Sequence, residues 1–297
     1  MSLFAYDKSL KSARSDELIN TYVMRPIAGL LVRVLYPTPV TPNVVTVAAT
    51  LSGLVAAAFY APGGTTGTLA GAIFLWVKDL LDSADGQLAR AKGMYSRAGR
   101  FLDSVGDLLV NASVFAAIAH ALYLQTLLPA YFVFAAAAFL CTTLRISYHV
   151  FYQVSFLHLE NSYALNRTNE AIQQVDLLAD RFTLVLQRVY QFFYGWQDRA
   201  MLRLDSWCRK DLAGDLSDLW YGDRTGLRLS GLLGMGTEIF VLVVFSLCDR
   251  LEMYLYVNLI IQNGVWLASV AYRRFVLAPS LQRPGPGHGS TTSSNRV

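Results

Sequence analysis

Between residues 108 and 144 this chain carries no Asp, Glu, Lys or Arg. Such a run is too long for one bilayer crossing and suits most of two. Pro129 divides it. The whole chain agrees: 54% of its 297 residues are hydrophobic and 15% are charged, too apolar for an ordinary soluble domain. The fold class expected is all-α: a polytopic membrane protein with six transmembrane helices, an N-terminal interfacial helix and a cytosolic helical insertion.

Residues 1–42 read as a cytosolic N-terminus followed by an amphipathic segment, 24–36, with Arg25 and Arg33 among apolar residues. That pattern fits a helix lying flat in the membrane interface. The polar first residues lack the apolar core of a signal peptide, so the first span is expected to act as its own insertion signal. Thr41-Pro42-Asn43 reads as a helix start with proline in the first turn. Residues 43–152 hold four spans, about 43–61, 67–92, 96–122 and 130–152. Residues 153–226 turn polar, with seven basic residues between Arg167 and Lys210 and three tryptophans, Trp196, Trp207 and Trp220. This reads as a cytosolic or surface-lying helical insertion. Two more spans occupy 227–275, and the Gly-, Pro- and Ser-rich stretch 276–297 reads as a disordered tail.

Six spans place both termini on one side. Of the 25 Lys and Arg, 24 fall within 1–42, 78–100, 145–228 and 273–297, and Arg250 falls on the other face. The positive-inside rule therefore puts both termini, the insertion and the 78–100 turn in the cytosol. The three cysteines, Cys141, Cys208 and Cys248, are scattered and odd in number, which argues against a disulfide framework or a zinc site.

The chemistry concentrates between Asp82 and Asp107. Asp82 and Asp85 stand at i,i+3, and Asp103 and Asp107 at i,i+4, so each pair shares one helix face. The pairs lie on consecutive antiparallel helices joined by a short turn near 92–96, which brings all four carboxylates to one depth. Charge within a span is costly and usually functional. Carboxylates that face one another call for cations, and divalent metal is the natural partner. Gly86, Ala89 and Gly99 keep the facing surfaces thin, and Arg90 stands one turn past Gly86, where it can meet phosphate. Together these features favour transfer of a phosphate-linked group.

The run Asp82-x2-Asp85-Gly86-x2-Ala89-Arg90-x8-Gly99-x3-Asp103-x3-Asp107 resembles the signature of the CDP-alcohol phosphotransferase (CDP-alcohol phosphatidyltransferase) family at every fixed position. Thr41-Pro42-Asn43-x2-Thr46 is similar to the start of the first span in such enzymes. The resemblance covers roughly residues 40–275, and the insertion departs from compact members. It implies a membrane enzyme of phospholipid synthesis that moves a phosphatidyl or phosphoalcohol group from a CDP-linked donor to an alcohol and releases CMP. It implies magnesium or manganese as cofactor, with two ions. Asp82, Asp85, Asp103 and Asp107 would hold metal, with Asp107 also the catalytic base. Asp82, Gly86, Ala89, Arg90 and Gly99 would bind CDP. A homodimer is expected, in contact with membrane lipids. CDP-diacylglycerol as donor, in a bacterial cytoplasmic membrane, is preferred over CDP-choline or CDP-ethanolamine acting on diacylglycerol. The reason is that the chain is shorter than the eukaryotic choline and ethanolamine enzymes of this family.

Other readings compete. A non-catalytic metal-dependent lipid-binding or transport protein could keep the acids, but a cation path has no need of Gly86-x2-Ala89-Arg90. Arg145, His149 and Glu238 are candidates for an acceptor or phosphate site, against snorkelling for the first two and polar pairing between helices for Glu238. Asn258, Gln262 and Asn263 read as helix-packing residues. Asn166-Arg167-Thr168 matches a glycosylation sequon, discounted on a cytosolic segment. The Arg- and aromatic-rich stretch 180–210 invites a nucleic-acid reading. Its interleaved acids and the spans on either side favour a membrane-surface helix, and no nucleic-acid partner is expected.

Overall fold

The structure is a computed structural model that describes residue 6 and residues 14–160, 170–173, 180–210, 212 and 216–282. The described residues are helical, with no strand. A π-helical turn, Asn20–Met24, leads into α1 (Arg25–Leu35), followed by α2 (Pro42–Tyr60), α3 (Thr65–Lys92), α4 (Arg97–Thr126) and α5 (Ala130–Leu159). Helix α6 (Arg181–Arg209) comes next, then α7 (Ser217–Tyr221), α8 (Arg224–Gly231) and α9 (Met235–Leu247). The last helical rod combines α10 (Leu251–Tyr256), α11 (Asn263–Ala271) and α12 (Ala278–Gln282), with π-helical segments Val257–Gln262 and Tyr272–Leu277 between them.

By length and composition α2, α4 and α5 can each cross a bilayer, and α8 with α9 makes a fourth crossing if the pair, bent by 42°, is one span. The six-span reading also draws on α3, whose apolar run is interrupted by charge, and on the rod that starts at Leu251. Helix α1 buries Ala28 and Val32 against Val45, Ala84 and Leu88, while Ile27, Leu30 and Val34 face outward. This two-faced packing suits a helix lying at the membrane surface.

Two boundaries differ from the sequence reading. Helix α5 does not end at 152 but runs to Leu159, because Phe151, Tyr152, Val154, Phe156 and Leu157 are all buried. The chain is also helical to Gln282, with Leu277 and Ala278 packed on Cys208 and Trp220, so a disordered tail cannot start at 276. Residues 283–297 and the Asn166 sequon lie outside the described residues.

The turn between α3 and α4 sets up the site. Gly93 closes α3 at φ +65°, a left-handed conformation that glycine takes without strain. The Met94 N–H donates back to the Ala89 carbonyl at 2.9 Å. Ser96 then caps α4 by accepting from the Gly99 N–H at 2.9 Å. The chain thereby turns back from the end of α3 into α4, and α2 packs against both helices.

Candidate active site

Oxygens of Asp82 and Asp85 from α3 and of Asp103 from α4 lie within 4.8 Å of one another. Asp85 is oriented by α2: the Thr46 hydroxyl donates to its Oδ2 at 2.5 Å. Oδ1 of Asp103 is buried without a hydrogen-bond partner. A buried carboxylate oxygen left unsatisfied is costly. Three hard oxygen donors converging at this spacing fit a divalent cation, which would supply the missing partner.

The fourth signature carboxylate behaves differently. Asp107 forms an ion pair with Lys78, which reaches across from α3 and lies 3.5 Å from Asp82. Lys78 is 2% exposed. It is absent from the site residues expected above. Its signal was there, a Lys78-Asp79 pair of charges after an apolar run, with the lysine one helical turn before Asp82.

Two cavities reach this centre. The first, of about 370 Å³, is bounded by Pro42, Asn43, Gly86, Ala89, Arg90 and Arg97, and it touches Asp82, Asp85 and Asp103. Gly99 also lines it, and a Cβ there would come within 2.7 Å of Asn43 Oδ1, so a side chain at 99 would displace the Asn43 amide at the chamber wall. The predicted CDP-binding residues Asp82, Gly86, Ala89, Arg90 and Gly99 thus share one chamber. The second cavity, of about 280 Å³, also touches Asp82 and Asp103 but opens toward Asp107, His149 and helix α6.

Of the three acceptor-site candidates, His149 alone lines either cavity. Arg145 and Glu238 form a buried ion pair at 3.0 Å, respectively 1% and 5% exposed. Arg145 also donates to Thr142 at 2.9 Å, Gln262 at 2.6 Å and Asn263 at 2.7 Å. Glu238 accepts from Tyr254 at 2.5 Å and from Asn258 at 2.7 Å. Asn258 and Gln262, four residues apart on the π-helical segment Val257–Gln262, both serve this network. Arg145 therefore does not snorkel and lines neither of these two cavities; it joins α5 to α9 and the last rod.

Glu17, which lies outside the spans, is a second residue that the sequence did not point to. It is buried, accepts from the Thr237 N–H at 2.8 Å and lies 4.0 Å from His149. Burial pushes its pKa up to about 8, partly offset by the Thr237 hydrogen bond.

Fold and site together define a helical membrane protein with an acidic, metal-type centre between two chambers. Residues 39–194, over half the chain, match the family model for CDP-alcohol phosphatidyltransferase, and the chain belongs to that family. Over 96 residues it is 34% identical to a phosphatidylinositol phosphate synthase from Mycobacteroides abscessus. The aligned stretch covers 32% of this chain and 41% of that protein's length.

Proposed function

We propose that this protein is a metal-dependent membrane transferase that moves a phosphatidyl group from CDP-diacylglycerol to an alcohol and releases CMP. The observation that carries this reading is the pair of cavities meeting at Asp82 and Asp103. The first takes the CDP moiety, with Arg90 and Arg97 at its phosphates and the thin Gly86–Ala89 surface admitting the nucleotide. The second admits the acceptor hydroxyl beside Asp107. Asp82, Asp85 and Asp103 would hold a divalent ion, which would supply charge neutralisation at the diphosphate and the leaving group.

In the step proposed, the acceptor oxygen attacks the phosphorus that carries the diacylglycerol. A new P–O bond forms, the bond to the CMP phosphate breaks, and the hydroxyl proton passes to an Asp107 oxygen. Lys78 positions Asp107 for this by pairing with it across α3 and α4. Thr46 does the same for Asp85. The distribution of basic residues supports a cytosolic active site, and the synthase relative supports a lipid donor.

The test is CMP release by purified protein in detergent with magnesium. CDP-diacylglycerol is offered with a panel of alcohols, and CDP-choline with diacylglycerol, each beside Asp107→Asn. Release from CDP-diacylglycerol that disappears in the variant and with chelator is expected. Release from CDP-choline and diacylglycerol alone reverses the donor assignment. Metal-dependent binding of both CDP compounds without CMP from any pair marks a protein that binds but does not catalyse.

A further inference from the structure

Arg97 and Arg100, on the first turn of α4, both line the first chamber, and Arg100 lines the second as well. They stand at i,i+3, where two like charges repel and splay unless something sits between them. Glu170 sits between them. Its Oε2 accepts from Arg97 at 2.8 Å and its Oε1 from Arg100. Two cations share one anion, so the trio keeps a surplus positive charge at the chamber wall. Aromatic rings steady the same groups. Arg97 lies 5.5 Å from the Phe101 centroid, and Arg100 lies 6.0 Å from those of Phe101 and Tyr190. A guanidinium carries several N–H donors in a rigid fork, so the one spent on Glu170 leaves others for a ligand.

Glu170 is itself held. It is buried, with no exposure to solvent. Gln187 of α6 donates to its carbonyl at 3.3 Å, and its backbone N–H serves the Asp198 carboxylate of the same helix. Helix α6 is fastened to α4 by the Tyr194 hydroxyl donating to the Ser104 carbonyl at 3.2 Å. It is fastened to α5 by the Ser147 hydroxyl donating to Gln197 at 2.7 Å. These links close a loop: from α4 to α6, from α6 to Glu170, and from Glu170 back to the arginines of α4. Glu170 lies outside the run Asp82–Asp107, so a residue of the insertion, and not of the signature, holds the two arginines.

Resting on the transferase reading above, we propose that Glu170 is a positioning residue for the CDP-linked donor. It fixes the spread of Arg97 and Arg100, and their remaining N–H groups meet the donor's phosphates in the first chamber. Charge-assisted hydrogen bonds from arginine to phosphate are strong when the fork is aimed. Without Glu170 the wall gains positive charge and loses aim. Two long side chains then repel each other, and the ligand itself must order them.

The experiment measures the Kd for CDP by calorimetry on the purified full chain in detergent with magnesium. Steady-state kinetics accompany it, with CDP-diacylglycerol and whichever acceptor supports CMP release. Glu170→Gln keeps the shape and removes the charge. Kd for CDP and KM for CDP-diacylglycerol both rise by about 10-fold, while kcat and acceptor KM hold near wild type. Glu170→Asp keeps the buried charge but is too short to bridge both arginines. It raises Kd by roughly 3-fold and takes the place of the Gln variant if that one does not fold. In an Arg97→Met/Arg100→Met background, whose CDP binding is weaker, adding Glu170→Gln gives no further rise, because the carboxylate has nothing left to aim. An unchanged Kd in Glu170→Gln overturns the proposal. A lower Kd does so too and makes Glu170 a competitor of the phosphates. A further rise in the double-Met background also overturns it, since Glu170 then acts through the fold at large. Wild-type protein that binds CDP but releases no CMP from any substrate pair overturns the transferase reading and leaves the role of Glu170 in CDP binding to stand or fall on the Kd values. Wild-type protein that does not bind CDP overturns both.

Discussion

Replacing Arg145 by methionine separates a structural from a ligand-binding role for the buried Arg145–Glu238 pair. The substitution keeps the length of the side chain and removes the guanidinium. Glu238 then loses its 3.0 Å partner and keeps Tyr254 at 2.5 Å and Asn258 at 2.7 Å. Thr142, Gln262 and Asn263 each lose a donor. Stripping one partner from a buried ion pair costs about 3–5 kcal/mol, chiefly because the remaining charge stays desolvated. At roughly 2–4 °C per kcal/mol, this lowers the melting temperature by about 6–20 °C. The assay is a thermal shift in detergent read by size-exclusion recovery. Glu238→Gln alone destabilises too, while the double variant Arg145→Met/Glu238→Gln regains most of the loss, since neither charge is left alone. The coupling between the two positions exceeds about 1 kcal/mol. Below the melting point, acceptor KM stays at the wild-type value, because neither residue lines either of the two cavities that reach the acidic centre. An Arg145→Met protein with unchanged melting temperature and a raised acceptor KM would refute the reasoning and restore Arg145 as a ligand contact.

Lys78→Met frees Asp107 from its ion pair, so kcat falls by about 10-fold or more while KM for CDP-diacylglycerol holds, as steady-state rates against donor concentration will show. Gly99→Val forces a branched side chain into the gap where even a lone Cβ would lie 2.7 Å from Asn43 Oδ1, displacing the Asn43 amide and filling part of the first chamber; activity drops, whereas Gly99→Ser, which is smaller, does less damage. Glu17 carries a pH signature. Its carboxyl titrates near 4.5 when unfolded and about 8 when folded, so the folded protein holds a proton that the unfolded chain has lost. Stability therefore declines as pH rises between those values, by on the order of a few kcal/mol, and levels off above 8. Denaturation midpoints measured from pH 5 to 9 show the slope, and Glu17→Gln flattens it.

The acid cluster was legible in the sequence because both pairs use helical spacing and the joining turn is short. A local pattern then dictates a tertiary arrangement. Lys78 followed the same logic, one turn ahead of Asp82, and was overlooked because, with Asp79 next to it and Asp82 one turn on, nothing local says that it will meet Asp107 on the next helix. Arg145 and Glu238 were visible as costly residues, but their partnership joins positions 93 residues apart on α5 and α9, which leaves no mark in hydropathy. Helix α6 could be recognised as amphipathic from 180–210. Its docking through Tyr194 to Ser104 and through Gln197 to Ser147 depends on contacts 90 and 50 residues apart in the chain, beyond the reach of local periodicity.

Two chambers that share Asp82 and Asp103 but differ in most of their remaining walls have a kinetic consequence. Neither substrate has to vacate the protein before the other arrives. Both can be resident at once, and direct in-line transfer then needs no phosphatidylated side chain as a halfway station. Double-reciprocal plots of initial rate against one substrate, at fixed levels of the other, should intersect rather than run parallel. A donor without an acceptor should sit on the protein largely unreacted, its cleavage waiting for the second chamber to fill.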